Sequence, residues 1–154
     1  MPPAFRVCSP TGWRTAASKT QNVEPPFPRL FTVEEANALL PKLEQLLRDI
    51  ALHRDRVREK APHLEPILKS SIFNGGGRVG SEYGVEAYNL YLGIERIREL
   101  GVLLKDLDMG LVDFPHEKDG RIVFLCWHPP EERISYWHEV QAGYGGRTPL
   151  RETP

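Results

Sequence analysis

The hydrophobic pattern of this chain changes its period once, and that change most limits the folds open to it. Before Gly110, apolar residues recur every three or four positions, which is the spacing of one face of an α-helix. After Gly110, short apolar runs with alternating faces are separated by turn residues, as in β-strands. This order predicts an α+β fold, in which a long antiparallel helical hairpin is followed by a small antiparallel sheet of two or three strands.

The first helix is predicted over about residues 33–60. Thr32 and Glu35 have the spacing of a capping box, in which each side chain accepts a hydrogen bond from the backbone N–H of the other residue. The apolar stripe that follows recurs at alternating intervals of four and three residues and contains Ala36, Leu40, Leu43, Leu47, Ile50 and Val57. Pro62 and Pro66 are expected to end this helix.

The second helix is predicted over about residues 81–107, and the segment "GGGRVG" before it is interpreted as a loop. This segment matches a phosphate-binding glycine pattern, but no strand precedes it. Each helix is about 40 Å long, so the hairpin presents two apolar stripes that need a cover. Either the C-terminal part of the chain or a second copy supplies it, and the stripe area favours a homodimer formed through the helices.

The strands are predicted over about residues 110–114, 121–127 and 134–140. Asp119-Gly120 marks a hairpin turn, and its loop is expected to be longer than two residues. In the last strand, alternation puts His138 on one face and Glu139 on the other.

The composition argues against several classes of partner. The 20 basic and 21 acidic residues leave a net charge of -1, so no overall field favours nucleic acid or anionic membranes. The run "HRDRVREK" mixes both signs, as a solvated helix face does, although phosphate binding by this run is an alternative. No apolar run approaches the ~18 residues of a membrane helix. With only Cys8 and Cys126 and no Cys-x-x-Cys pair, a disulfide framework is disfavoured and a cytoplasmic location is favoured.

The chain is expected to contain one domain. Residues 1–27 are interpreted as a disordered N-terminal extension, although their basic, acid-free composition also resembles an organellar transit peptide. Residues 28–150 are assigned to a single α+β domain, and residues 151–154 to a tail.

The candidate site lies in the aromatic C-terminal segment. Asp113 and His138, with Glu139, form a candidate ligand set for a divalent metal ion with open positions. Glu139 reaches the same ion as His138 only if a bulge or a strand end turns it. Alternatively, His138 and Glu139 are hydrogen-bonding partners that fix an aromatic core. Arg147 and Trp137 are the candidates for binding a small anionic ligand.

Cys126 is interpreted as a buried structural thiol, because it lies in an apolar run. No residue set specifies a reaction, so whether the protein is an enzyme stays open.

The segments "FTVEEANALLPKL", "LGVLLKDLDMGLVDFP", "VFLCW" and "YWHEVQAGYGGR" together resemble a small bacterial family known only as a domain of unknown function. The resemblance covers roughly residues 30–150 and implies a shared fold and a shared site. The polar positions that match the family pattern are Lys105, Asp106, Asp113, Trp137, His138, Glu139, Gly143 and Arg147. The sequence departs from that pattern at "HPPEE", where a glycine usually precedes the acid, and at Tyr144, where phenylalanine is common.

Two main hypotheses follow. In the first, the protein binds a divalent metal ion or a small anionic ligand at the C-terminal segment. In the second, it is a structural or adaptor protein that assembles through its helical hairpin without catalysis.

Overall fold

The structure is a computed structural model that describes residues 27–70 and 77–150. Two helices are followed by a five-stranded antiparallel sheet with the strand order β1-β2-β3-β4-β5, which confirms the α+β fold. The elements are α1 Val33–Ser70, α2 Arg78–Glu99, β1 Leu103–Asp106, β2 Leu111–Lys118, β3 Arg121–Trp127, β4 Tyr136–Glu139 and β5 Thr148–Pro149, with one turn of 3-10 helix at Tyr144–Gly146. The expectations for residues 1–26 and 151–154 lie outside the described residues, and the assignment of 28–150 to one domain stays a prediction.

The first helix begins where the capping box predicts. The backbone N–H of Glu35 donates to Thr32 Oγ1 at 3.1 Å, and the N–H of Thr32 donates to Glu35 Oε2 at 2.9 Å. This backbone hydrogen bond lowers the pKa of the Glu35 carboxyl group, because it stabilises the charged form.

The prediction that two prolines end this helix was wrong, because α1 continues through both Pro62 and Pro66 to Ser70. Each proline removes one backbone donor, and packing of one helix on another can outweigh that loss. Lys60 Nζ contacts Glu82 Oε2 at 3.2 Å, which ties this end of α1 to α2.

The second helix ends at Glu99, whereas the sequence predicted a helix to about residue 107. Gly101 has a positive φ of 82°, the left-handed conformation that commonly terminates helices. Beyond it the chain forms β1, which pairs with β2 through Leu103 and Leu104. A short run of leucines satisfies either period, and the glycine decides which one is used.

The β2–β3 hairpin has a tighter turn than predicted. Lys118 pairs with Arg121, which leaves only Asp119 and Gly120 in the loop. Both loop residues have positive φ angles, 51° and 74°, as in the two-residue turns that match the twist of antiparallel strands. Pro115, which was taken as the strand end, lies inside β2 beyond the part of β2 that β1 pairs with. A proline is tolerated there because its missing donor faces an unpaired edge.

One face of the sheet covers both helices. The core between them contains Leu40, Leu43, Leu47, Ile50, Ile97, Val112, Phe114, Leu125 and Trp127. The apolar stripe that needed a cover is therefore covered by the chain's own strands. Homodimer formation stays a prediction, but Leu43 and Leu47 are buried inside the protomer and are not free to form its interface.

Charged side chains of "HRDRVREK" pair with acids of neighbouring segments. His53 and Arg56 contact Glu86 of α2, while Arg54 and Arg58 contact Asp108 in the turn after β1. In residues 27–70 and 77–150, neither helix carries a segment long and apolar enough to cross a bilayer.

Candidate metal site

Three buried side chains with metal-binding atoms meet on the face of the sheet turned away from the helices. Asp113 of β2 pairs with Cys126 of β3, and His138 of β4 pairs with Phe124, two residues before Cys126. Because paired residues and residues two apart share a face, all three point the same way. The side chains are 1%, 0% and 2% exposed, and their ligand atoms all lie within 4.8 Å of one another.

Aromatic and cationic side chains surround this cluster. The ring of Phe124 packs edge-on against both Phe27 and His138, with centroid distances of 5.3 and 5.6 Å. Lys105 Nζ lies 4.9 Å from the centroid of the same ring, and the Arg147 guanidinium lies 4.3 Å from that of Tyr136. The polar cluster is thus enclosed in a second, smaller aromatic core.

The hydrogen bonds of His138 fix which ring nitrogen faces the cluster. Its Nδ1 lies 2.9 Å from the backbone carbonyl oxygen of Glu139. A carbonyl oxygen only accepts, so Nδ1 carries the hydrogen. In a neutral ring Nε2 then has a lone pair, and this atom lies 3.2 Å from Asp113 Oδ1. Two acceptors at this distance repel each other unless a proton or a metal ion lies between them.

Cys126 lies beside both groups and is held in its neutral form. Burial raises the pKa of its thiol to about 12, and the nearby Asp113 carboxylate raises it further. In metal-free protein the thiol therefore keeps its proton at neutral pH. A metal ion would displace that proton, since the thiolate is the ligand.

Asp113 has a second partner at the edge of the cluster. Lys105 Nζ lies 3.8 Å from Asp113 Oδ2, and the Lys105 side chain is 42% exposed. The carboxylate thus has His138 at one oxygen and a half-exposed ammonium group near the other.

Of the five sequence-predicted site residues, the structure brings Asp113 and His138 together and places the others elsewhere. The Glu139 carboxylate is 48% exposed and contacts Arg121 Nη2 at 2.8 Å. Neither a bulge nor a register shift interrupts β4 in its pairing with β3 to turn Glu139 toward His138. Trp137 packs against the core on the helix side of the sheet.

Arg147 lies near the cluster, but its charge is already matched. Its Nη2 atom donates to both carboxylate oxygens of Glu131, at 2.7 and 3.0 Å, and contacts the carbonyl oxygen of Cys126 at 3.4 Å. Glu131 also accepts from the backbone N–H of His128. This network fixes the end of β3 beside Cys126.

Sequence reasoning missed Cys126 as a site residue, although a signal was available. A two-residue Asp119-Gly120 turn makes Lys118 the partner of Arg121, and counting back along both strands then pairs Asp113 with Cys126. The expectation of a longer loop removed that register.

The described cavities lie away from the cluster. One of about 450 Å³ opens between α1 and the loop at Pro129 and Pro130, and Leu47 and Met109 also line it. Its charged lining residues include Arg54 and Asp108, which pair with each other. The donor atoms at Asp113, Cys126 and His138 therefore define the site better than the cavity does.

Together, the fold and the cluster define a class: an α+β domain that carries a potential three-ligand metal site on the outer face of its sheet. The family model described as "Uncharacterized conserved protein (DUF2203)" matches residues 29–150, and the chain belongs to this family. The match spans both helices and the whole sheet, so the resemblance to an uncharacterised family is confirmed. Comparisons with curated proteins and with solved structures found no match.

Proposed function

We propose that this protein binds a divalent transition-metal ion through Asp113, Cys126 and His138. The orientation of His138 carries the proposal, because Nδ1–H is held by a carbonyl oxygen and the Nε2 lone pair faces a carboxylate and a thiol. Metal-ligating histidines commonly donate their second N–H to such a backbone carbonyl. One oxygen, one sulfur and one nitrogen donor suit zinc, and three protein ligands leave a fourth position open.

The spacing of the donor atoms supports this ligand set. In a tetrahedral zinc site, ligand atoms are separated by about 3.4 Å, which follows from metal–ligand distances near 2.1 Å. His138 Nε2 and Asp113 Oδ1 already lie 3.2 Å apart. Since all three donor atoms lie within 4.8 Å of one another, a shift of about 1 Å or less in side-chain position completes the geometry.

This ligand set keeps Asp113 and His138 from the sequence-based set and replaces Glu139 with Cys126. Glu139 is offered no route to the same ion, because its carboxylate is exposed and paired with Arg121. Cys126 supplies the soft ligand that distinguishes zinc and its neighbours from magnesium or calcium.

The proposal extends to the setting of the protein but names no reaction. A bacterial origin follows from the resemblance, and a cytoplasmic location from the two cysteines without a disulfide pattern. A metal ion with an open position can bind a small ligand, and the nature of that ligand is taken up below.

The test measures the metal content of the full chain without a histidine tag. After equilibration with zinc and removal of free metal, elemental analysis should find about one ion per chain in the wild type. His138→Ala, Cys126→Ser and Asp113→Asn should each lose most of it, because each removes a ligand. Circular dichroism of every variant checks that the fold is kept.

Glu139→Gln is the matched control, since it changes the neighbouring carboxylate and leaves the three proposed ligands intact. This variant should bind zinc as the wild type does. A wild-type chain that retains no zinc would overturn the proposal and leave a metal-free hydrogen-bonded cluster. Zinc loss in Glu139→Gln equal to that in His138→Ala would restore the sequence-based ligand set.

A further inference from the structure

Lys105 connects the buried cluster to solvent. The pairing of β1 with β2 shifts between Leu104 and Asp106, so Lys105 lies in an irregularity outside the regular register. Its ammonium group lies near Asp113 Oδ2, at 3.8 Å, and over the ring of Phe124, at 4.9 Å. The cluster residues are at most 2% exposed, whereas the Lys105 side chain is 42% exposed.

The charges around a bound metal ion do not balance when Lys105 is included. A divalent cation is neutralised by the Asp113 carboxylate and the Cys126 thiolate, and His138 binds as a neutral ring. Arg147 adds no net charge, because Glu131 is bound to it at 2.7 Å. Lys105 therefore leaves one positive charge beside a buried centre, and such a charge is costly unless an anion balances it.

We propose that the open position of the metal site takes a small monoanion of the carboxylate class, and that Lys105 binds it. This inference rests on the proposed metal site. One carboxylate oxygen occupies the fourth coordination position, and the other accepts a hydrogen bond from the Lys105 ammonium group. Contact with the Phe124 ring restricts this ammonium group to the side of the cluster, so it is oriented before the ligand arrives.

The chain offers a closely matched control lysine. Lys118 Nζ also lies over an aromatic ring, that of Trp137 at 5.5 Å, and beside a carboxylate, that of Asp119 at 3.7 Å. It is located at the β2–β3 turn, where it pairs with Arg121. Removing its charge changes the same kinds of contact as removing that of Lys105, but outside the cluster.

The experiment uses the full chain loaded with Co²⁺, whose visible absorption reports on its coordination. Acetate is titrated at constant ionic strength, with acetamide as a neutral molecule of nearly the same shape. In the wild type and in Lys118→Met, acetate should shift the cobalt bands and acetamide should not. Lys105→Met should bind cobalt with unchanged stoichiometry and acetate about tenfold more weakly, the loss of one charge-assisted hydrogen bond. Lys105→Arg should restore most of the acetate response.

The outcomes separate this inference from the proposed function. Cobalt binding without any acetate response, an equal response to acetamide, or the same acetate affinity in Lys105→Met and the wild type would each overturn the role of Lys105 while the metal site stands. A wild-type chain that takes up neither cobalt nor zinc overturns the metal site, and the inference fails with it.

Discussion

At the scale of single residues, the contact between Asp113 and His138 separates a metal site from a buried ion pair. In metal-free protein, either the imidazole is charged and forms an ion pair with the carboxylate, or Asp113 is protonated and donates to Nε2. Both arrangements satisfy the hydrogen bond from Nδ1 to the carbonyl oxygen of Glu139. They differ in how much of the folding free energy depends on the negative charge of Asp113.

Asp113→Asn tests this difference, because the new amide can donate to Nε2 where a carboxylate anion cannot. In the presence of a chelator, we expect its free energy of unfolding to stay within about 1 kcal/mol of the wild type, since one hydrogen bond replaces another. Urea denaturation measures this. A loss of about 3 kcal/mol or more would show that a charged Asp113–His138 pair holds the metal-free fold, because breaking a buried pair has a cost of that size.

Cys126 gives the metal-free protein a pH dependence whose sign follows from its environment. Burial raises the pKa of this thiol to about 12 in the folded state, whereas an unfolded thiol titrates near 8.5. Below about pH 8.5 both states keep the proton, and the contribution to stability is complete. As the pH rises toward 12, only the unfolded state ionises, so stability falls by about 1.4 kcal/mol for each pH unit in this window.

The measurement compares the wild type with Cys126→Ala by urea denaturation between pH 8 and 10.5, with chelator present. Alanine leaves a small cavity, which lowers stability by the same amount at every pH and does not change the slope. The two curves should therefore converge as the pH rises. Parallel curves would mean that Cys126 does not keep its proton in the folded state.

At the scale of elements, one glycine sets how closely the two helices approach. A Cβ atom added at Gly93 of α2 would lie 2.6 Å from Ile50 Cγ1 of α1, and Ile50 is 1% exposed, so it has no free space to move into. Overpacking of this kind costs about 1–3 kcal/mol, which exceeds the 0.5–1 kcal/mol that alanine gains over glycine in a helix.

Gly93→Ala should therefore lower the free energy of unfolding, by about 1–2 kcal/mol after this offset. Gly84→Ala is the matched control in the same helix, because a Cβ atom added there meets nothing within 4 Å. It should raise stability by about 0.5–1 kcal/mol. Thermal or urea denaturation of both variants gives the comparison, and a Gly93→Ala variant as stable as Gly84→Ala would contradict the close contact.

Local signals were sufficient to predict some elements but not others. The capping box at Thr32 and the stripe of α1 are encoded within a few turns of chain, so they were read correctly. Strands β1 and β5 contain four and two residues and exist through their pairing with neighbours, which no short pattern reports.

The candidate site was only partly predictable for the same reason. Asp113 and His138 stood out as polar residues in an aromatic segment, but Cys126 joins them only through strand register. Register depends on the length of one turn, and a one-residue error moves every side chain to the opposite face. The tight turn at Asp119 and Gly120 thus decides both the hairpin and the ligand set.

At the scale of the whole molecule, the sheet changes where a second copy could bind. It buries the α1 stripe, so the remaining large exposed apolar side chains on α2 are Val85, Tyr88 and Tyr91, with exposures of 58%, 61% and 54%. The two tyrosine rings stack at 6.4 Å. A patch of this kind on a helix is typical of an interaction surface, and it serves either the predicted homodimer or the adaptor alternative.

The charges of α2 favour the homodimer. Arg78 near its first residue is 91% exposed on its side chain, and Glu99 is exposed at its last residue. An antiparallel pair of α2 helices, related by a two-fold axis near the tyrosines, brings Arg78 of each copy within about one turn of Glu99 of the other. The same arrangement stacks the four tyrosine rings at the centre, where aromatic side chains contribute most to binding.

The combined variant Tyr88→Glu and Tyr91→Glu should therefore convert a dimer into a folded monomer, because it places two negative charges in each half of the contact. Light scattering coupled to size-exclusion chromatography measures the mass, and circular dichroism checks the fold. Leu52→Glu, on an exposed position of α1 outside this patch, should leave the dimer intact, since it is 48% exposed in the protomer. Leu43→Glu should instead unfold the chain, because Leu43 is fully buried beneath the sheet. A wild-type chain that is monomeric at high micromolar concentration would remove the homodimer and leave this patch to a different protein.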